Sequence, residues 1–272
     1  FILAAAGSAI GLGAIWKFPY MTGTNGGAAF FLLFIAFTLF IGAPILIAEF
    51  IIGRNGQKDA VNSYKKIAPN TKWPILGWMG VIASVLLLSF YSVVGGWILS
   101  YLGRSLLGKI TGISSTEYES LFNKIIENPI ESIISQILFM LLTIWVVQGG
   151  IKKGIEQASK YMMPALFIIF LILVVRSLTL DGAMEGVSFF LQPDFSKLTG
   201  ESVLLALGQA FFALSVGISV MVTYASYLPK NENLMKSGFS VVGLNILISL
   251  LAGLVIFPAV FALGYDPASG PG

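Results

Sequence analysis

The sequence predicts an all-α polytopic membrane protein, and three observations predict it. Of its 272 residues 56% are hydrophobic and only 11% charged, where a soluble domain carries about 45–50% and about 25%. The charges are segregated: stretches 18–48, 73–103, 132–151, 202–229 and 237–265 contain no Asp, Glu, Lys or Arg, and each exceeds the roughly 18 apolar residues that span a bilayer. Helix-breaking glycines recur in two of these apolar regions at corresponding places. With no Cys and no His, thiolate metal sites and the commonest general base are excluded, which argues against hydrolytic or metal chemistry.

Seven hydrophobic helices follow, near 1–20, 27–53, 74–103, 131–150, 157–178, 202–227 and 237–264, in a single transmembrane domain over 1–272. The first begins Phe-Ile-Leu-Ala and the chain stops at Ser-Gly-Pro-Gly, so it is expected to be cut at both ends. A signal peptide over 1–20 is disfavoured, since no charged segment precedes the apolar run and Lys17 stands where cleavage should occur. Asn25, Gly26 and Gly27 make the short connection to the second helix. Residues 182–196 are too short and too mixed to span; they suit a loop or short helix in the outer interface, with Phe189 and Phe190 facing lipid or protein.

Orientation follows from the cations. The loops after helices two, four and six carry Arg54, Lys58, Lys65, Lys66, Lys72, Lys152, Lys153, Lys160, Lys230 and Lys236 against Asp59, Glu156 and Glu232, and are expected to be cytoplasmic. The opposite loops are acidic on balance, including Glu117, Glu119, Glu127 and Glu131. The first helix therefore runs outward.

Two helices are expected to unwind. The first holds Gly7, Ser8, Gly11 and Gly13; the sixth holds Gly208, Gln209, Ser215, Gly217 and Ser219. Small residues also serve close helix packing, but breaks in helices one and six are what an inverted repeat of five helices would produce, with a binding site at mid-membrane. Unwound backbone at that depth must line a cavity or be buried in protein. Its carbonyls can replace the water around a small cation, and a half-helix N-terminus can hold a carboxylate, so an amino-acid zwitterion with sodium fits. Glu49 either accepts from the unwound backbone or ends its helix near the surface. Asn245 suits sodium or an interhelical hydrogen bond. Tyr91 offers a hydroxyl to substrate or simply packs.

The segments over 7–19, 25–27, 42–54 and 208–217 resemble the bacterial neurotransmitter:sodium symporters, and within them the transporters of hydrophobic amino acids. The resemblance runs along the whole chain. It implies an inverted-repeat (5+5) leucine-transporter-like fold truncated to about the first seven helices, with a first repeat over 1–180 and the start of a second over 201–272. By residue matching, the Leu12 and Gly13 amides and the Tyr91 hydroxyl would hold the substrate carboxylate. The Ala9, Phe212 and Ala213 carbonyls with Ser215 would receive its amino group, and Leu87 and Ile218 would line the pocket. A first sodium would use the Ala9 and Ala213 carbonyls, Asn245 and the substrate; a second would use the Gly7 and Ile10 carbonyls. Phe212 matches the lid, Lys17 the outer-gate cation, and Gly154 with Pro164 the helix-five pattern that unwinds when the inside opens. Departures are Ala14 and Ala213, where many members have Asn and Thr, and Phe34, which replaces a Tyr of the chloride site. Ser249, in place of an acid, and Gln209 leave chloride dependence open.

The resemblance thus implies one or two Na+ ions driving uptake of a neutral, hydrophobic L-amino acid by alternating access, with no covalent chemistry. It further implies a multi-pass protein of the bacterial cytoplasmic membrane with no nucleic-acid partner. A channel or structural membrane subunit would show a continuous polar stripe, where only isolated polar groups occur. A membrane enzyme would need converging ionisable groups, and apart from Glu49, and Glu131 at the very start of its span, no acidic residue falls inside a predicted span. Seven helices without the rest of the family's set are expected to be inactive alone. Cargo, sodium stoichiometry and oligomeric state are not set by the sequence.

Overall fold

The computed structural model describes residues 2–110 and 115–268; Phe1 and residues 269–272, on which the reading of both ends rests, lie outside them. Thirteen α-helices are present among the described residues: α1 Ile2–Ala9, α2 Phe18–Thr24, α3 Ala28–Phe37, α4 Ala43–Gly56, α5 Ala60–Ile67, α6 Pro74–Leu106, α7 Ser115–Glu127, α8 Pro129–Gln148, α9 Glu156–Leu178, α10 Ala183–Leu191, α11 Gly200–Leu214, α12 Val220–Ala225 and α13 Leu234–Ala262. Three π-helical turns interrupt them, at Gly13–Lys17, Thr38–Gly42 and Ile151–Ile155. Five segments are long and apolar enough to cross a membrane: Ala28–Gly56, Pro74–Leu106, Pro129–Gln148, Lys153–Leu178 and Leu234–Ala262. The first and sixth predicted helices fall short of that length because each is broken. Lys160, counted with a loop from its charge, lies inside α9.

Two compact units make up the fold, one ending at Val81 and resuming at Glu156, the other comprising Ile82–Ile155. The first holds three apolar clusters. Ala5, Ala9, Leu46, Phe50, Leu214 and Met221 pack together. Ala6, Ile10 and Ala14 pack with Met163, Phe170 and Ile248. The third is aromatic, with Phe18, Phe31, Phe34, Phe190 and Phe257 buried around Ala210 and Ala213. The chain from Ala5 through Phe18 thus enters all three clusters in turn.

Glycines set how closely these helices approach. A Cβ on Gly53 would run into the Val222 carbonyl and come within 2.8 Å of the Ala225 methyl, so only hydrogen at that position lets α4 lie against α12. Residues 182–196 resolve into α10 followed by a short 3-10 turn, Phe195–Lys197. Phe190 is fully buried, its ring 4.8 Å from Phe31 and 5.2 Å from Phe257. Phe189 lies 5.2 Å from Phe257 and 5.3 Å from Phe261. Both rings therefore face protein, the second of the two options the sequence leaves open.

In the second unit, Asn128 caps α8 by accepting from the Ile130 and Glu131 amides. Arg104 of α6 pairs with both carboxylate oxygens of Glu131 at 2.7 and 2.8 Å, and the Ser100 hydroxyl donates to the same group. Gln136 donates to Ser92 at 2.9 Å. In an apolar setting such pairs satisfy groups that lipid could not.

Candidate functional site

The site is built where two helices stop. α1 ends at Ala9, and the chain resumes helical turns only at Gly13. α11 ends at Leu214 and α12 begins at Val220, with Ser215, Gly217 and Ser219 at φ of 54°, 84° and 60°. Glycine takes that left-handed conformation freely, but serine pays roughly 1 kcal/mol or more, so surrounding contacts must hold it there.

Those contacts come from three other elements. The Gly217 amide donates to Glu49 Oε1 at 2.6 Å, and Glu49 is only 6% exposed; of its two sequence readings, the structure realises acceptance from unwound backbone. Ser215 Oγ donates to the Ser8 carbonyl at 3.1 Å, tying one break to the other. Asn245, fully buried in α13, donates through Nδ2 to the Ala9 carbonyl at 2.9 Å and the Ala213 carbonyl at 3.1 Å. Gln209 donates through Nε2 to the Gly13 carbonyl at 2.8 Å. The last carbonyls of a helix lack intrahelical partners, and at the ends of α1 and α11 the Asn245 amide supplies one.

The other oxygens of these side chains, Asn245 Oδ1, Gln209 Oε1 and Glu49 Oε2, are buried without a hydrogen-bond partner, as is Ser249 Oγ one turn beyond Asn245. Buried polar atoms are nearly always paired; in this layer the carboxamide nitrogens of Asn245 and Gln209 take the carbonyls and their oxygens are left over. Gly7 faces α9, where a Cβ would lie 3.2 Å from Ser159 Oγ and 3.6 Å from Met163 Sδ. Ile10 is buried in the second apolar cluster.

Over this region, Lys17 Nζ sits 4.1 Å from the centre of the Phe212 ring, a favourable cation–π arrangement. A Cβ on Gly13 would come within 2.9 Å of that ring, so glycine here lets Phe212 lie against the backbone. Phe34 is fully buried, 4.9 Å from Phe18, and gives the polar layer an apolar wall.

The structure thus brings together Ala9, Gly13, Ala213, Ser215, Gln209, Asn245, Glu49, Phe212 and Lys17 in the first unit. Tyr91 and Leu87 belong to the second, where Tyr91 is half-buried with its ring 5.8 Å from Phe90. Gly154 also lies there, in the π-helical turn, packed on the Val146 carbonyl and Gly149; Pro164 sits exposed inside α9 of the first unit. Sequence reasoning missed Ser159, which lies against Gly7, and also Tyr224, which packs against the first apolar cluster. A lone polar tip in the charge-free stretch 202–229 was the available signal.

Broken helices joined through buried carboxamides define a class. Residues 1–121 and 117–268 match the Sodium:neurotransmitter symporter family, and the chain belongs to that family. It is 58% identical over its full length to the sodium-dependent transporter YhdH of Bacillus subtilis (strain 168), of which it covers 60%. It is 26% identical to the sodium-dependent serotonin transporter of Drosophila melanogaster, over 97% of this chain and 48% of that protein. Its fold is that of MhsT, solved in complex with L-phenylalanine: the TM-score is 0.95 at 48% identity, covering all of this chain and 62% of MhsT. The chain is therefore an all-helical, leucine-transporter-like multi-pass membrane protein that spans about 60% of the length of such relatives.

Proposed function

We propose that this chain carries the substrate- and sodium-binding part of a symporter that takes up neutral, hydrophobic L-amino acids by alternating access. The observation that carries the reading is the junction of the two helix breaks: the Ala9 and Ala213 carbonyls converge on Asn245, with Ser215 bonded across to Ser8. Carbonyls so placed would hold the ammonium group of an amino acid and one sodium ion, with the Phe212 carbonyl and Ser215 assisting. The first turn of the outer half-helix, at Leu12 and Gly13, presents amides and a positive dipole end to the carboxylate. The Tyr91 hydroxyl completes that group in this reading.

A second sodium would use the Gly7 and Ile10 carbonyls. Lys17 and Phe212 form the outer closure, while Gly154 and Pro164 supply the flexible inner stretch of the fifth span, since proline removes a helical hydrogen bond. Gln209 and Ser249 are the side chains a chloride ion would meet, with Phe34 offering it nothing polar. The family is named for sodium symport, and MhsT was solved in complex with L-phenylalanine, which favours an apolar cargo. The loops after the second, fourth and sixth spans would face the cytoplasm.

Uptake of labelled Leu, Trp and Gly into proteoliposomes tests the reading, with an inward sodium gradient and with potassium in its place. Accumulation that needs sodium and is competed by bulky apolar amino acids is expected. Equal uptake without sodium, driven by a proton gradient, would overturn the coupling ion and the role given to Asn245.

A further inference from the structure

The basic segment between the second and third spans carries more charge than its own contacts use. α5 and the first turns of α6 fold back on each other: a Cβ on Gly77 would lie 2.6 Å from Val61 Cα. Val61 and Gly77 stand equally far along the chain from Pro69, so Lys65 and Trp73 share the closed end of this hairpin. α5 buries Ala60 and Ser63 and leaves Asn62, Lys65 and Lys66 exposed. Lys66 is engaged at the end of α4, donating to the Gly56 carbonyl at 3.1 Å and the Asn55 carbonyl at 3.3 Å. Lys58, Lys65 and Lys72 are exposed and enter no ion pair among the described residues. Asp59 is the only acid over 50–110, and Asn62 holds it. Lys72 is the last charge before the span Pro74–Leu106. Just past it Trp73 and Trp78 are 57% and 59% exposed, with Ile75 and Met79 exposed beside them. Exposed indoles at the end of a spanning helix belong at the level of the lipid headgroups.

We propose that the closed end of the α5–α6 hairpin binds one anionic phospholipid, its phosphate between Lys65 and Lys72, its glycerol against Trp73 and Trp78, and an acyl chain along Ile75 and Met79. Charge complementarity selects the occupant. Basic side chains beside a membrane span attract anionic lipid, and with no acid but Asp59 nearby the cations have no partner in the protein. A zwitterionic lipid brings an amine of its own and gains little here; a phosphodiester without one gains most. The apolar stripe requires acyl chains, which a soluble phosphate ester lacks. The same hairpin backs the second helix break: a Cβ on Gly80 would come within 2.7 Å of the Ile218 carbonyl and of Ser219 Oγ. A lipid fastened at the closed end therefore steadies the helix against which that break rests. The inference goes beyond the transport reading and does not depend on which ion or cargo the carrier takes.

The test reconstitutes purified full-length protein into phosphatidylcholine bilayers and follows quenching of tryptophan fluorescence by phosphatidylglycerol or phosphatidylcholine brominated on the acyl chains. Bromine on the chains reports a lipid and not a free phosphate. The share carried by Trp73 and Trp78 is the difference from W73F/W78F. Each lysine beside the membrane favours an anionic headgroup roughly fivefold. Wild type is therefore expected to take brominated phosphatidylglycerol over brominated phosphatidylcholine by on the order of tenfold, and K65Q/K72Q to take the two almost equally. The same preference in K65Q/K72Q as in wild type would overturn the site, as would a wild type that quenches equally with both lipids. If the double variant fails to insert, K65Q and K72Q are measured singly, each expected to lose roughly fivefold of the preference. Singles that match wild type would sink the proposal.

Discussion

Single atoms decide the site. Glu49 reaches Gly217 from another helix through one 2.6 Å bond, and this bond keeps a residue at φ 84° in place between two serines that also sit left-handed. Replacing Glu49 by Ala should strand the Gly217 amide at a cost of about 1–3 kcal/mol, read as a fall in melting temperature and at least a several-fold loss of sodium-dependent uptake. Glu49→Gln keeps an acceptor oxygen and should retain most of both. Glycine gives a second residue-level contrast. Gly53→Ala drives a methyl into the Val222 carbonyl, whereas Gly243→Ala meets open space. The first should destabilise by about 1–3 kcal/mol, and the second should be neutral or slightly stabilising because alanine favours helix by about 1 kcal/mol. Thermal melts of the two variants side by side check the difference.

Among the elements, the breaks at 10–12 and 215–219 were legible from their glycines and serines, and Glu49 stood out as an acid in an apolar run. What the sequence concealed has physical causes. Serine disfavours positive φ, so left-handed Ser215 and Ser219 do not declare themselves in the sequence; Ser215 is tied to Ser8, and Gly217 between the two serines is tied to Glu49. Nor does a carboxamide's sequence position say which of its faces meets a partner, so the donor role of Asn245 could not be read. The short helix α5 went unpredicted because its eight residues carry too few apolar positions to declare themselves. It stands on its cap: Asp59 accepts from the Asn62 amide at 3.0 Å and its side chain at 2.6 Å. The Asn62 side chain holds the Asp59 carboxyl below the usual carboxylate range. A depressed carboxyl stabilises above its unfolded value and ceases to as pH falls through the folded one. Protection factors of the amides over 60–67, each taken against the intrinsic exchange rate at the same pH, should therefore fall as pH drops from neutral toward about 3. Asp59→Ala should bring faster exchange at neutral pH too, at a cost of about 1 kcal/mol.

At the scale of the whole molecule, the all-helical membrane class was fixed by charge-free runs alone, whereas the pairing of the two breaks needed the tertiary fold. Loss of sodium-driven uptake in potassium buffer is the expected outcome at this scale, measured in proteoliposomes. The connection over 182–196 reads from its composition as a loop or short helix in the outer interface. Its helix instead plugs Phe190 between Phe31 and Phe257, with Gly186 and Gly253 cleared to admit it. For anyone fitting this protein with a tag, a fluorophore or an antibody epitope, the choice of position is therefore narrow. An insertion within 183–191 would pry apart the aromatic centre, while one a few residues later, among exposed Gln192, Pro193 and Asp194, would leave that centre closed.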